Sequence, residues 1–383
     1  MASGAKSLKV GLVVDDGLDS TDGVQQYVLT LGKWLQSNGH EVRYLAGQTK
    51  RQDLPGLYSL ARNIKVRFNG NSLSIPLPAG RRKIRRVLKE ERFDVLHIQT
   101  PHSPFMAQKV VLAAEPGTAI LGTFHILPYG WMSAFGNRLL GIWLRPSLKR
   151  FDEIVSVSSA AAGFAKRSFK IDTPVVPNAV DLSHFRGAEP LPQYGDQVTT
   201  ILFLGRLVPR KGCFLLLQAV LKLRDQGLTD FRVVICGRGP EEAKLRQFIS
   251  QNGLQEQVKL AGFVSEEDKP RYYASADIAV FPSQGGESFG IVLIEAMASG
   301  RSVVLAADNA GYHSVMAAQP ELLFPVGETD VLAEKLTHYL KDNEARKQAR
   351  KRSSIAVEQY DINRVGKQLL TRYYQALRKK RGA

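Results

Sequence analysis

Two carboxylates eight positions apart, Glu287 and Glu295, open the chemical reading of this chain; they lie in the segment GGESFGIVLIEAMASG, residues 285–300. Glu287 sits in a glycine-rich loop, and Glu295 sits among Ile291, Val292, Leu293, Ile294, Ala296, Met297 and Ala298. That run is apolar all round, so its helix is expected to be buried, and a charge inside it costs free energy unless something polar meets it. Gly285, Gly286 and Gly290 allow close approach of a ligand to the backbone, and the helix start points unsatisfied N–H groups back at the loop. Such a terminus suits phosphate. A sugar nucleotide satisfies all parts together: diphosphate at the helix N-terminus beside Ser288, Phe289, Gly290 and Ile291, a nucleoside hydroxyl pair on Glu295, and the sugar beside Glu287. The competing reading is a glycine turn carrying two incidental acids.

Further residues fit a diphosphate sugar. Arg206 and Lys211 in FLGRLVPRKG follow an apolar strand, where two cations can neutralise charge on a departing nucleoside diphosphate; a solvated basic loop is the alternative. Gly23 opens a long helix after an acidic loop, either offering a backbone N–H to phosphate or simply starting the helix. Gly237 in GRGP closes another strand, a pattern that also marks tight turns. His125 stands where the apolar strand of TFHILPYG meets a loop, as a sugar contact or as a satisfied core residue. No Asp-x-Asp pair occurs in the chain, so the usual carboxylate clamp for a divalent metal is missing and metal-independent chemistry is expected.

The elements that must position these residues follow from periodicity. Apolar runs alternate with amphipathic helical patterns, the mark of parallel sheets built from βαβ units. Strands are expected at 8–14, 41–46, 93–98, 118–126, 153–159 and 174–178, with a helix carrying Val24, Tyr27, Val28, Leu31, Trp34 and Leu35 and closed by Asn38-Gly39. Asp22 and Gln25 have capping-box spacing. The pattern dissolves between 181 and 199, read as a linker, and restarts with strands at 200–207, 231–237, 258–264, 277–283, 302–306 and 321–326. The expected organisation is an α/β chain of two Rossmann-like doubly wound domains, 1–180 and 200–360, facing a cleft, with a C-terminal helix in 361–383 returning to the first domain. Ligands of such sheets bind at the carboxyl ends of the strands.

With 383 residues, two domains are the natural division. The formal charge of +16 implies an anionic partner without choosing among lipid, nucleotide and nucleic acid. No apolar run reaches the about 18 to 20 residues of a membrane-spanning helix, and no signal-type region precedes the first strand, so cytoplasmic residence is expected. Cys213 and Cys236 belong to no Cys-x-x-Cys or Cys/His cluster, which argues against structural zinc and disulfides. In GRRKIRRVLKEERFD, Arg82, Arg85, Arg86 and Lys89 share one helical face and Ile84, Val87 and Leu88 the other. Such a helix can lie on anionic lipid, or pack on a sheet with a solvated basic face.

These segments resemble a known family. DGVQQYVLTLGKWLQSNGHEV, FDVLHIQTPHSP, GTFHI, VVPNAVD, ILFLGRLVPRKG, VICGRGP and the E-x7-E segment are similar to the GT-B-fold retaining glycosyltransferases of the GT4 group that contains the phosphatidylinositol mannosyltransferases. The resemblance implies that Glu287 contacts the donor sugar, Glu295 the ribose, Arg206 and Lys211 the diphosphate with Gly23, and that His125 assists at the sugar. It implies an acceptor site at Asp22, Gln25 and His125, and membrane docking through Arg82, Lys83, Arg85 and Arg86. The function implied is mannosyl transfer from GDP-mannose to a phosphatidylinositol-like lipid at the inner face of the plasma membrane, with no metal cofactor and no nucleic-acid partner. The rivals are a GT4 transferase using a UDP-glucose-type donor or another acceptor, and a noncatalytic anionic-lipid or nucleic-acid binding protein. The segment FHILPYGWMSAFGNRLLGIWL is more apolar and aromatic than the family pattern and is expected to hold acyl chains.

Overall fold

The computed structural model describes residues 6–19, 22–68, 71–76, 80–125, 141 and 143–382. The chain divides into two compact units, Met1–Ala179 with Ile362–Ala383, and Val180–Asp361.

The first unit contains strands β1 (Lys9–Val14), β2 (Glu41–Ala46), β3 (Leu57–Ser59), β4 (Asn63–Phe68), β5 (Asn71–Pro76), β6 (Val95–Ile98), β7 (Ala119–Phe124) and β8 (Glu153–Ser156). Six of them form a parallel sheet in the order β3-β2-β1-β6-β7-β8. β4 and β5 pair antiparallel as a separate ribbon. Almost every residue of β1 and all of β7 are buried, as continuous apolar runs must be when helices cover both sheet faces. On one face the helix Gly23–Ser37 packs Tyr27, Val28, Leu31, Trp34 and Leu35 against Val365, Leu369 and Tyr373 of the helix Ile362–Gly382. Gly366 is needed there, because a Cβ would stand 2.6 Å from the Trp34 ring. On the other face the helix Arg81–Glu91 inserts Ile84, Val87 and Leu88 beside Val110 and Val111 of the helix Met106–Ala113.

The second unit repeats the plan with β9 (Thr199–Leu204), β10 (Phe231–Cys236), β11 (Val258–Gly262), β12 (Ile278–Phe281), β13 (Val303–Ala307) and β14 (Leu323–Phe324), parallel in the order β11-β10-β9-β12-β13-β14. In each sheet the strand order reverses once, at β1/β6 and at β9/β12. The loops leaving those strand pairs flank the crevice where open α/β sheets bind ligands.

Several local features bear on the sequence reading. Residues 174–178 make only a single bridge, Val175 to Ser156, because Pro174 and Pro177 cannot donate to a ladder. Residues 181–199 hold a short helix, Leu182–Arg186, that buries Leu182 and Phe185. Asp22 occupies the N-cap of its helix without a side-chain capping bond, and Gln25 Nε2 lies 3.4 Å from Asp16 Oδ2. Cys213 and Cys236 are both buried and free, in a helix and a strand, with burial pushing their thiols up.

Candidate functional site

At the β9/β12 switch, three loops are knitted together. Gln284 N–H donates to the Arg210 carbonyl at 2.7 Å, and Asn309 Nδ2 donates to the Ser283 carbonyl at 3.1 Å. Two glycines permit this closeness: a Cβ on Gly212 would meet Pro282 O at 2.0 Å, and one on Gly311 would meet Glu287 O at 2.3 Å. Glu287 is thereby held at the centre. Its Oε1 lies 2.7 Å from Arg210 Nη1, 2.9 Å from Lys211 Nζ and 2.9 Å from Ser283 Oγ. Burial pushes its pKa up, but Lys211 and Arg210 outweigh that effect and hold it below the ordinary carboxylate range. Glu287 is therefore an anion at neutral pH, flanked by two cations.

Lys211 and Glu287 thus meet, whereas Arg206 is half-buried at the end of β9 with its backbone tied to Val208. Arg210 was missed in the sequence, although it sits beside Lys211 in the same RKG turn. Gly237 has φ +145°, and a Cβ there would lie 1.8 Å from Gly205 O, so its loop presses directly on the one carrying Arg206. Gly290, at φ +112°, is the N-cap of the helix Ile291–Ser299, with Phe289 buried against Tyr360 and Ser288 half-buried.

Glu295 is 3% exposed, and its partner is a protein group. Lys269 Nζ lies 3.0 Å from Oε1, and Tyr273 OH donates to Oε2 at 3.1 Å. Lys269 also pairs with Glu266 at 2.6 Å. Burial lowers the Lys269 pKa, yet the two carboxylates prevail and hold the ammonium above the usual lysine value. Burial likewise pushes Glu266 up. A nucleoside hydroxyl is therefore not required to satisfy Glu295, though a carboxylate with about four acceptor positions retains room for one.

In the first unit, the β1/β6 crevice is lined differently. His125 is 4% exposed, and its Nε2 lies 2.8 Å from Gln99 Oε1, with Asn178 beside the ring. Burial lowers its pKa to about 3, which keeps it neutral. Next to it His97 bridges Tyr373 OH (2.8 Å) and Thr123 Oγ1 (2.6 Å), and Tyr27 packs edge-on against both imidazoles. Asp15 accepts from Ala107 N–H at 2.6 Å and from Ser103 Oγ; burial raises its pKa from 3.8 to about 6. Gly23 begins its helix half-buried and Asp22 is exposed.

On the helix Arg81–Glu91 the two faces separate as the spacing implied. Arg82, Lys83, Arg85, Arg86 and Lys89 are exposed while the apolar residues are buried, so sheet packing and an outward basic face coexist. Lys83 Nζ donates to Ser59 O at 2.7 Å, and Arg86 lies 3.8 Å from Glu90. Most of the segment expected to hold acyl chains, 126–140 and 142, lies outside the described residues. Among the described residues no group of three or more His, Cys, Asp or Glu side chains is arranged to hold a metal, and no helix is long and apolar enough to cross a membrane.

Comparison with known proteins agrees with this architecture. Residues 193–354 match the model of glycosyl transferases group 1, and residues 21–184 match that of Glycosyltransferase Family 4. The phosphatidyl-myo-inositol mannosyltransferase of Mycolicibacterium smegmatis is 34% identical over 373 residues, covering 96% of this chain and 93% of that protein. A GDP-mannose-dependent alpha-(1-6)-phosphatidylinositol monomannoside mannosyltransferase of Mycobacterium tuberculosis is 26% identical over 79% of this chain and 81% of its own length. A glycosyltransferase crystal structure from Rickettsia africae superposes with a TM-score of 0.78 at 19% identity, covering 97% of this chain and 99% of that one. With both domain models matched and a relative above 30% identity over nearly its whole length, the chain belongs to the GT-B-fold, family 4 glycosyltransferases, in the group of the phosphatidyl-myo-inositol mannosyltransferases.

Proposed function

We propose that this glycosyltransferase moves mannose from GDP-mannose to a phosphatidylinositol-type lipid with retention of configuration, at the cytoplasmic face of the membrane and without a metal. The observation that carries the reading is the meeting of Glu287 with Arg210 and Lys211 at the β9/β12 switch, in a chain that matches inositol-lipid mannosyltransferases over 96% of its length. The donor assignment is supported by the named dependence of the Mycobacterium tuberculosis relative on GDP-mannose.

In this reading the diphosphate lies on Arg206, Arg210, Lys211 and the N–H groups of the Gly290–Ile291 turn. Cations there stabilise the charge that develops as the anomeric C–O bond breaks, the task a divalent metal performs elsewhere. Glu287, kept ionised by its cations, faces the sugar and stabilises positive charge at the reacting carbon. Glu295 takes a ribose hydroxyl on its remaining lone pairs. His125, neutral through burial, orients the sugar by hydrogen bonding and does not carry a proton. The acceptor oxygen bonds the anomeric carbon on the face the phosphate leaves, and its proton passes to the departing phosphate oxygen. No enzymic nucleophile is needed. Gln25 with Asp22 receives the acceptor, and Arg82, Lys83, Arg85 and Arg86 rest on anionic lipid.

The test is product formation from labelled sugar nucleotides with and without phosphatidylinositol vesicles, in chelator. Label in lipid only with GDP-mannose and phosphatidylinositol is the expected result. Label from a UDP-sugar, label in a water-soluble product, or a requirement for added metal would each overturn the corresponding part.

A further inference from the structure

The donors around Glu287 are shared unevenly between its two oxygens. Arg210 Nη1 at 2.7 Å, Lys211 Nζ at 2.9 Å and Ser283 Oγ at 2.9 Å all converge on Oε1. Among the described residues none donates a hydrogen bond to Oε2. A carboxylate oxygen accepts about two hydrogen bonds, so the protein saturates Oε1 and leaves Oε2 for a ligand. Glu287 keeps 12% of its side chain exposed, which permits that meeting.

Ser283 is built into a fixed frame. It follows β12, is 1% exposed, and its carbonyl accepts from Asn309 Nδ2 at 3.1 Å. Asn309 is itself held, because its Oδ1 caps the helix Ala310–Met316 by accepting from Tyr312 N–H at 3.1 Å. The buried Tyr312 ring lies beside Ser283 and Glu287, and Gly290 leaves it room, since a Cβ there would stand 2.6 Å from the ring. The Ser283 hydroxyl has one proton and two acceptors in reach, Glu287 Oε1 and the Arg210 carbonyl at 3.0 Å. Gln284 N–H already serves that carbonyl at 2.7 Å, and an ionised carboxylate is the stronger acceptor, so the proton goes to Glu287. Arg210 and Lys211 differ in kind: in the reading above they also serve the diphosphate, whose arrival divides them between two anions. Ser283 carries no charge for the diphosphate to draw away. We propose that Ser283 is the positioning residue for Glu287 in sugar transfer: it pins Oε1, turns Oε2 to the donor sugar, and keeps that orientation once the diphosphate engages Arg210 and Lys211. The proposal rests on the reading of Glu287 as the sugar contact and adds which oxygen meets the sugar and which residue aims it.

The experiment compares wild type with Ser283→Ala and with Ser283→Cys, which fills nearly the same space with a weak donor. Transfer from labelled GDP-mannose to phosphatidylinositol vesicles is followed as a function of pH, and GDP affinity is measured by calorimetry. The expected result is a kcat lowered at least about tenfold in both variants while GDP affinity stays within about twofold. The acidic limb of kcat should also move to higher pH, because losing a donor to the carboxylate raises the pKa of Glu287. Wild-type kcat in Ser283→Cys with only Ser283→Ala impaired would show that the residue merely fills space, and would overturn the assignment. GDP affinity lost in parallel, or an acidic limb that does not move, would overturn it as well. If wild type uses a UDP-sugar or another acceptor, the donor or lipid reading above fails, and the same comparison with that pair, using the matching nucleotide, still decides the role of Ser283. A wild type that transfers no sugar contradicts both.

Discussion

The two strand-order reversals are built on one plan and furnished with opposite chemistry. At β9/β12 the second unit gathers ions: Glu287 between Arg210 and Lys211, and Glu295 against Lys269 and Glu266. At β1/β6 the first unit gathers mostly neutral groups: His125 with Gln99 and Asn178, His97 with Thr123 and Tyr373, and Gln25. A crevice rich in paired cations suits a diphosphate, whereas one of amides and neutral imidazoles suits hydroxyls. Architecture alone therefore does not tell a donor site from an acceptor site; in the proposed reading that distinction rests on the side chains at the switch points.

The comparison breaks most readily at its buried charges. Lys269→Met leaves Glu295 in an apolar helix with Tyr273 as its remaining partner, and the loss expected is about 3–5 kcal/mol of stability in the second unit. Thermal denaturation of the variant, with Lys269→Met/Glu295→Leu as the control, measures it. A double variant more stable than the single is expected; equal stability would show that the ammonium was not compensating the carboxylate.

The outward basic face is next in size. Replacing Arg82, Arg85 and Arg86 with serine removes three cations, each contributing about 1 kcal/mol near anionic lipid. Vesicle sedimentation should fall about a hundredfold at modest salt, with nucleotide affinity retained. Unchanged transfer to vesicle-borne lipid would contradict membrane docking through this helix.

The smallest effect concerns Asp15, a carboxyl in the first crevice that burial perturbs strongly. Asp15 has a folded pKa raised from 3.8 to about 6, so the folded state binds its proton more tightly than the unfolded state does. Its stabilising contribution is full below pH 3.8 and is lost as pH rises through about 6, by at most about 3 kcal/mol. Asp15→Asn should flatten the fall in melting temperature between pH 4 and pH 7. A slope identical to wild type would show that Asp15 titrates normally.

Much of this contrast was legible in the sequence, and the unread parts have physical causes. The burial of Glu295 followed from its apolar helix, but Lys269 did not stand out, since SEEDKPRYY reads as a solvated segment and its burial is decided by tertiary packing. Arg210 does not stand out in the sequence, because spacing from a strand end cannot say which nearby cation reaches Glu287. The β4/β5 ribbon was also missed, although alternating residues around Asn69-Gly70 are a hairpin signal. The parallel strands were read well because doubly buried strands are continuous apolar runs, and the ends of β8 and β14 were overextended because single apolar residues, Val157 and Val326, continue the pattern beyond the ladder.

The most direct test of the central claim, that the charged crevice performs transfer on a bound donor, separates binding from chemistry in Glu287→Ala. Removing Glu287 takes away a carboxylate and leaves Arg210 and Lys211 for the diphosphate. GDP affinity measured by calorimetry should therefore be unchanged or slightly tighter, while mannosyl transfer to phosphatidylinositol vesicles falls by at least about a hundredfold. Affinity and transfer lost together, or transfer retained, would contradict the role assigned to Glu287.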